Sequence, residues 1–468
     1  MKAADALKLV ATAASVLALA YLFAGGMIEG RILGVIAFAL VVWSLYPSRH
    51  LETSLIVIAL IAISEASLNI PEFIRGLFSA YGGSGFWIII SGFILAKGME
   101  VSGLGRRIAY AIATSMGYKP RNVVVAVALA SMLISPLSPS TTAKAFLVLP
   151  VCVGLVEAFG VEKGKSNYGS AVMMMAMVAN NVCSTAFLTA TIPNPISAEY
   201  LRGARLTLDW GSWLVMALPL TLTLLAISYL LVVRLFPPEV VPSVEVVEKV
   251  NHLRGELGPL SKREVYVAAL FSASLALWIG ERYIPFNVGI VTLALSLTLF
   301  IPHLKVMEFG RFTGSVPLGS IALFAASMFM ARAVERYRAL TPIARGIFDV
   351  LSPAHLSLGL FVAVAVFAAM VLHVIFTSTT VYATVVVPVA ISLASLGGVD
   401  PRLVGLPVAF LAPVAIFLPV NTIPNIVFAS EGWFTTKQFI NYGVLLSIAS
   451  VLIVLAIGVP YWKLTGFI

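Results

Sequence analysis

Two hydroxyl triplets, Ser140-Thr141-Thr142 and Ser378-Thr379-Thr380, each interrupt a long apolar run, and a proline stands ten residues after each serine (Pro150, Pro388). The same tetrapeptide follows downstream of each, as Thr191-Ile192-Pro193-Asn194 and Thr422-Ile423-Pro424-Asn425. A Ser-Thr-Thr turn that opens a helix offers hydroxyl donors and leaves the first backbone N–H groups of that helix unpaired. With the helix dipole, these donors make a seat for an anion. Two seats facing each other can grip both ends of a dicarboxylate. Pro193 and Pro195 leave the carbonyls of Thr189 and Thr191 without helical partners. Such oxygens suit Na⁺, and no side-chain carboxylate is then required.

The acidic inventory agrees with an anionic guest. Asp5, Asp209, Asp349 and Asp400 fall at span ends or in loops, and only Glu65 sits well inside an apolar run, near its end. A cation–proton antiporter ordinarily binds its ion with an intramembrane carboxylate. Lys144, two residues past the first triplet, has three readings: a substrate contact, a fixed charge replacing a coupling cation, or a side chain snorkelling along the chain. His373 reads as a packed neutral histidine. Gly82-Gly83-Ser84-Gly85 matches a short serine-protease pattern, but no histidine stands out as a partner for Ser84, and the stretch reads as a turn. Cys152 and Cys183 read as small core residues and form no metal cluster. For any single hydroxyl, packing or a bond back to its own backbone is the ordinary role. The matched order of triplet, proline and tetrapeptide in both halves is what sets these apart.

The elements that must position these residues are membrane helices. Of 468 residues, 60% are hydrophobic and 11% charged, and apolar runs of about 20 residues recur throughout. The net charge of +9 forms no basic stripe, which speaks against a nucleic-acid partner. The run from Leu7 reads as a retained first span and not as a signal peptide. Residues 122–159 carry two prolines and five hydroxyls in their middle and cannot be one continuous helix. Each arm measures about 15 residues, too short to span, so a re-entrant hairpin is expected. Broken helices are expected at 168–200 and 403–430, and a second hairpin at 357–396. The fold class expected is an all-α polytopic membrane protein with eleven transmembrane helices and two re-entrant hairpins. Residues 1–30 hold a first helix, 31–236 one repeat, 237–264 a polar linker and 265–468 a second repeat of opposite orientation. An excess of Lys and Arg places the N-terminus in the cytoplasm and the C-terminus outside. Trp43, Trp210, Trp213, Trp278 and Trp462, near predicted span ends, are expected as interfacial anchors.

At the two triplets and two tetrapeptides the chain resembles the divalent anion/sodium symporter family of di- and tricarboxylate carriers. That family has Ser-Asn-Thr at both hairpin tips and a Thr-Pro-Pro-Asn-like segment in its broken helices. The stretch Phe187-Leu188-Thr189-Ala190-Thr191-Ile192-Pro193-Asn194-Pro195 is similar to its citrate and oxoglutarate/malate exchanger branch, in which an Arg occupies the place of Lys144. Here both tip asparagines are threonines, Thr141 and Thr379, which keep an oxygen and lose the amide donors. The resemblance implies a substrate site of Ser140, Thr141, Thr142, Lys144, Ser378, Thr379, Thr380 and Thr422, with Asn194 and Asn425. It implies Na⁺ ligands at Ser140, Thr141, Ala190, Thr191, Thr377, Thr379 and Asn421. It also implies a homodimer in the plasma membrane, an elevator motion, and no cofactor beyond Na⁺ as coupling ion. The activity expected is transport of a C4-dicarboxylate or citrate-like acid, coupled to Na⁺. The rivals are a Na⁺-independent exchanger, an arsenite or inorganic-anion exporter, a Na⁺/H⁺ antiporter, and an intramembrane hydrolase using Ser84.

Overall fold

The computed structural model describes residues 3–66, 69–304, 306–310, 312, 318–351, 357–376 and 378–468, and among them there is no β-strand. In chain order the first half gives α1 (Ala3–Ala24), α2 (Ile28–Leu45), α3 (His50–Ala66), α4 (Ile70–Tyr81), α5 (Ser84–Ser102), α6 (Leu104–Ser115), α7 (Pro120–Ile134), α8 (Thr141–Ala158), α9 (Asn167–Val182), α10 (Pro193–Gly203) and α11 (Trp210–Leu235). The second gives α12 (Val244–Gly255), α13 (Lys262–Ile279), α14 (Val288–Leu297), α15 (Leu318–Tyr337), α16 (Thr341–Leu351), α17 (Leu358–Leu372), α18 (Thr379–Leu396), α19 (Pro401–Leu411), α20 (Ile423–Ser430) and α21 (Thr436–Ile453). Thr377, one of the expected Na⁺ ligands, lies outside the described residues.

The chain breaks where proline and hydroxyl chemistry dictates. After α7 a short 3-10 turn at Ser135–Leu137 ends in extended residues, and Ser140 then caps α8. The α9 run ends in 3-10 turns before Pro193 opens α10 with its ring at the first helical position, where its missing N–H costs nothing. The second half repeats this: Ser378 caps α18, and Thr422 caps α20 just before Pro424.

Among the described residues, eight helical stretches are long and apolar enough to cross a membrane. Three of them are arms of the expected hairpins, at Pro120–Leu137, Thr141–Ala158 and Thr379–Leu396, each 18 residues long. At 1.5 Å per residue such an arm is about 27 Å, somewhat longer than expected, while α17 has the expected 15 residues. The polar linker at 237–264 contains α12. Its far end is tied down by Arg107 on α6, which donates to Glu264 at 2.6 Å and to the carbonyls of Leu257, Gly258 and Pro259. Glu264 also completes a capping box with Ser261 at the start of α13. The bond from Arg107 holds the Glu264 carboxyl below the usual range.

The tryptophans are not interfacial anchors. Trp43, Trp210, Trp213, Trp278 and Trp462 are all at most 1% exposed. Trp210 donates to Thr189, Trp213 to the Thr185 carbonyl and Trp462 to the Met216 carbonyl, so they pack helix against helix inside the protein. Cys152 and Cys183 are buried and unpaired, as expected of core residues. Glu65 is buried with Arg332 of α15 at 3.9 Å, against Gly76 of α4.

Candidate functional site

Each hydroxyl triplet splits its work between cap and cavity. The Ser140 Oγ accepts from the Ala143 N–H at 3.2 Å, and the Ser378 Oγ accepts from the Val381 N–H at 3.4 Å. These bonds satisfy the third N–H of each helix and leave the first two, on Thr141 and Thr142 and on Thr379 and Thr380, without helical partners. Among the described residues the hydroxyls of those four threonines donate no hydrogen bond. Each triplet therefore presents two backbone N–H groups and two free hydroxyls.

Both triplets border one cavity of about 150 Å³, together with Thr191 and Thr422. Four helix N-termini converge there: α8 at Thr141, α18 at Thr379, α10 just past Thr191, and α20 just past Thr422. Each contributes roughly half a positive charge, about two in all. Among the described residues no acidic side chain lines this cavity. It is smaller than the roughly 300 Å³ at which drug-sized pockets begin, which suits a guest of a few carbons. A second cavity of about 510 Å³ shares Ser140, Thr142, Ser320 and Ile423 with it and reaches the Lys97–Glu100 ion pair. A separate cavity of about 120 Å³ is lined by Glu199, Asp209 and Glu281 with Arg202, a set that repels anions.

The convergence follows from reciprocal packing. The arm α8 packs on α9 and on α20 of the other half, while α18 packs on α19 and on α10. The two tetrapeptide asparagines do the same job at both breaks. Asn194 Nδ2 donates to the carbonyls of Ser184 (2.7 Å) and Phe187 (2.8 Å), ten and seven residues upstream. Asn425 Nδ2 donates to Ala415 (2.8 Å) and Leu418 (3.4 Å), at the same separations. These bonds satisfy carbonyls that the break leaves open. Both asparagines are fully buried and border neither cavity. Asn181 Nδ2 donates to Asn425 Oδ1 at 2.8 Å and links the halves directly.

Lys144 does not snorkel, and it borders neither cavity. It is 1% exposed, and its Nζ donates to Ser184 Oγ (2.6 Å) and to the Ala190 carbonyl (2.8 Å). Ser184 passes a bond to the Asn180 carbonyl, and Asn180 Nδ2 donates to the Thr141 carbonyl at 2.9 Å. The chain of bonds fastens the first tip to the first break. The Ala190 oxygen expected to hold Na⁺ is thus engaged by an ammonium. In the second half Asn421 Nδ2 donates to the carbonyls of His373 and Phe376, and its Oδ1 accepts from the Leu418 N–H. That amide is committed to the backbone as well. Tyr382, at the place of Lys144 in the second triplet, stacks on His373 at 3.8 Å. Thr191 borders the cavity and remains available as an oxygen ligand.

The opposite wall comes from Trp43, Pro47 and His50 around the α2–α3 turn, and from Ser320 and Leu323 of α15. Nothing in the sequence pointed to these for the site, Trp43 having been expected only as an interfacial anchor. Asn180 and Asn181, by contrast, were visible as an amide pair at the end of an otherwise apolar run. Ser84 Oγ accepts the Gly289 N–H at 3.0 Å, where the two segments touch so closely that Gly289 has no room for a side chain. Its role is helix packing.

Residues 5–468 match the family described as the sodium:sulfate symporter transmembrane region. The chain is 26% identical to dicarboxylate transporter 1 of Arabidopsis thaliana chloroplasts, over 87% of this chain and 74% of the plant protein. It is 25% identical to the citrate/succinate antiporter of Escherichia coli K12, over 80% of this chain and 77% of that protein. The YdaH transporter of Alcanivorax borkumensis shares the fold, with a TM-score of 0.52 at 14% identity over 85% of this chain and 90% of that one. With its match running almost end to end, this multi-pass membrane protein belongs to the sodium:sulfate symporter transmembrane region family, the divalent anion/sodium symporters that its tips and broken helices resemble, and is a transporter, not an enzyme.

Proposed function

We propose that this transporter carries small divalent organic anions, of the C4-dicarboxylate or citrate-like class, without a sodium ion in its first half. The observation that carries this reading is the meeting of four helix N-termini and four free threonine hydroxyls on one small cavity free of acidic side chains. Their combined field matches a doubly negative guest. The names of the plant and Escherichia coli relatives support a carboxylate cargo. Lys144 supports exchange over sodium symport, because its ammonium sits on the Ala190 oxygen that a cation would need.

In this reading α7–α8 and α17–α18 are re-entrant hairpins from opposite faces, among eleven crossings. The N-terminus is cytoplasmic, the C-terminus lies outside, and the chain pairs as a homodimer in the plasma membrane. Tips and broken helices travel together as the moving part. Alternating access around a site between inverted halves is the general plan of such carriers.

The test is uptake of labelled succinate, malate and citrate into proteoliposomes loaded with unlabelled diacid or left empty, with and without a Na⁺ gradient. The expected result is uptake that requires internal diacid and ignores Na⁺. Uptake of sulfate or arsenite but of no organic acid would move the assignment to the inorganic-anion rival. Diacid uptake that needs Na⁺ and no internal diacid would restore symport.

A further inference from the structure

We propose that His50 is a specificity contact that reads a hydroxyl group on the substrate, so that a 2-hydroxy diacid is preferred over an unsubstituted one. This rests on the carboxylate reading above. His50, the first residue of α3, borders the same cavity as the triplets. Its Nε2 lies 2.9 Å from the Trp43 carbonyl. A carbonyl only accepts, so Nε2 carries the proton, and in the neutral ring Nδ1 is left as a bare acceptor. The residue is packed closely at its base: a Cβ added to Gly319 of α15 would come within 3.3 Å of His50 Cβ. Trp43, buried beside it, is the positioning residue, acting through its carbonyl.

The rest of the lining divides differently. The serine and threonine hydroxyls can turn to donate, the helix N-termini only donate, and both suit carboxylate oxygens. Among the described residues that border the cavity, His50 is the one whose side chain carries an atom that can only accept. A carboxylate brought to it is repelled, whereas an alcohol O–H is satisfied. A diacid without the hydroxyl gives that acceptor no donor, and discrimination arises from this cost.

The experiment compares exchange of malate and succinate in proteoliposomes for the wild type, His50→Ala and His50→Gln. In the wild type the ratio of kcat/KM should favour malate about three- to ten-fold, the range of one neutral hydrogen bond. His50→Ala should bring the ratio to about one mainly by weakening malate, and His50→Gln, whose amide oxygen also accepts, should restore part of it. A thermal midpoint within the scatter of the wild type shows that each variant folds. An unchanged ratio in His50→Ala overturns the proposal. So does an equal loss for both acids, which would mean a protonated ring holding a carboxylate. Absence of transport of either acid by the wild type would instead strike the carboxylate assignment itself.

Discussion

Lys144→Ala loses nearly all Na⁺-free exchange and gains a requirement for Na⁺. The ammonium makes two hydrogen bonds in a fully buried place, to Ser184 Oγ and to the Ala190 carbonyl. Hydrogen bonds to charged groups contribute about 1.5–3 kcal/mol each, and about 1.4 kcal/mol is a factor of ten. Removal of both ties leaves the Ala190 oxygen unpaired and loosens the Ser184–Asn180–Thr141 relay that holds the first tip. Exchange without Na⁺ should fall roughly a hundred-fold. Alanine leaves room in which a small cation can meet the freed oxygens, so millimolar Na⁺ should recover part of the rate. Lys144→Met fills the same volume without a charge and should stay inactive with or without Na⁺. Lys144→Ala exchanging at the wild-type rate in Na⁺-free buffer would show that the ammonium is dispensable. The pair of variants separates loss of a cation from loss of packing, since methionine keeps the packing.

The second large effect concerns the tips. Thr141→Val and Thr379→Val each remove one hydroxyl and keep the shape of the side chain. Each should raise KM for a dicarboxylate ten- to roughly a hundred-fold, the cost of one hydrogen bond to a charged group. The single variants should be similar, because the tips hold opposite ends of one guest. Ser140→Ala provides the contrast. Its Oγ caps α8 through the Ala143 N–H, and loss of a cap costs about 0.5–2 kcal/mol of stability. It should therefore lower the thermal midpoint, which the valine variants should leave unchanged. Initial rates against substrate concentration, with midpoints measured in the same detergent, distinguish the two effects.

The triplets and tetrapeptides were legible in the sequence because the chain writes each of them twice, and a proline beside hydroxyls in an apolar run interrupts the helical hydrogen bonds at that point. The helical breaks at Ser135–Ser140, at Thr191 and at Thr422 fall where those residues require. Other features were set by distance and packing. Asn194 and Asn425 belong to the motif but turn away from the cavity, because each break opens carbonyls ten and seven residues upstream that need a donor. The placement of Lys144 depends on how α8 leans on the turns after α9, which spacing does not encode. Trp43 and His50 reach the cavity only through the packing of α2 and α3 against α15, far away in the chain. The tryptophans near span ends satisfied the rule for interfacial anchors by position alone, while their indole groups were buried between helices. The arm lengths were underestimated because α7 runs on through a 3-10 turn and α8 continues past Pro150.

Cryo-electron microscopy of the purified protein with a bound C4-dicarboxylate tests most directly that two helix starts share one dianion. Density is expected in the cavity between the triplets, with one carboxylate within hydrogen-bonding distance of Thr141 and Thr142 and the other of Thr379 and Thr380. Density in contact with a single triplet, or lodged in the cavity beside Lys97 and Glu100 with the first one vacant, would contradict it.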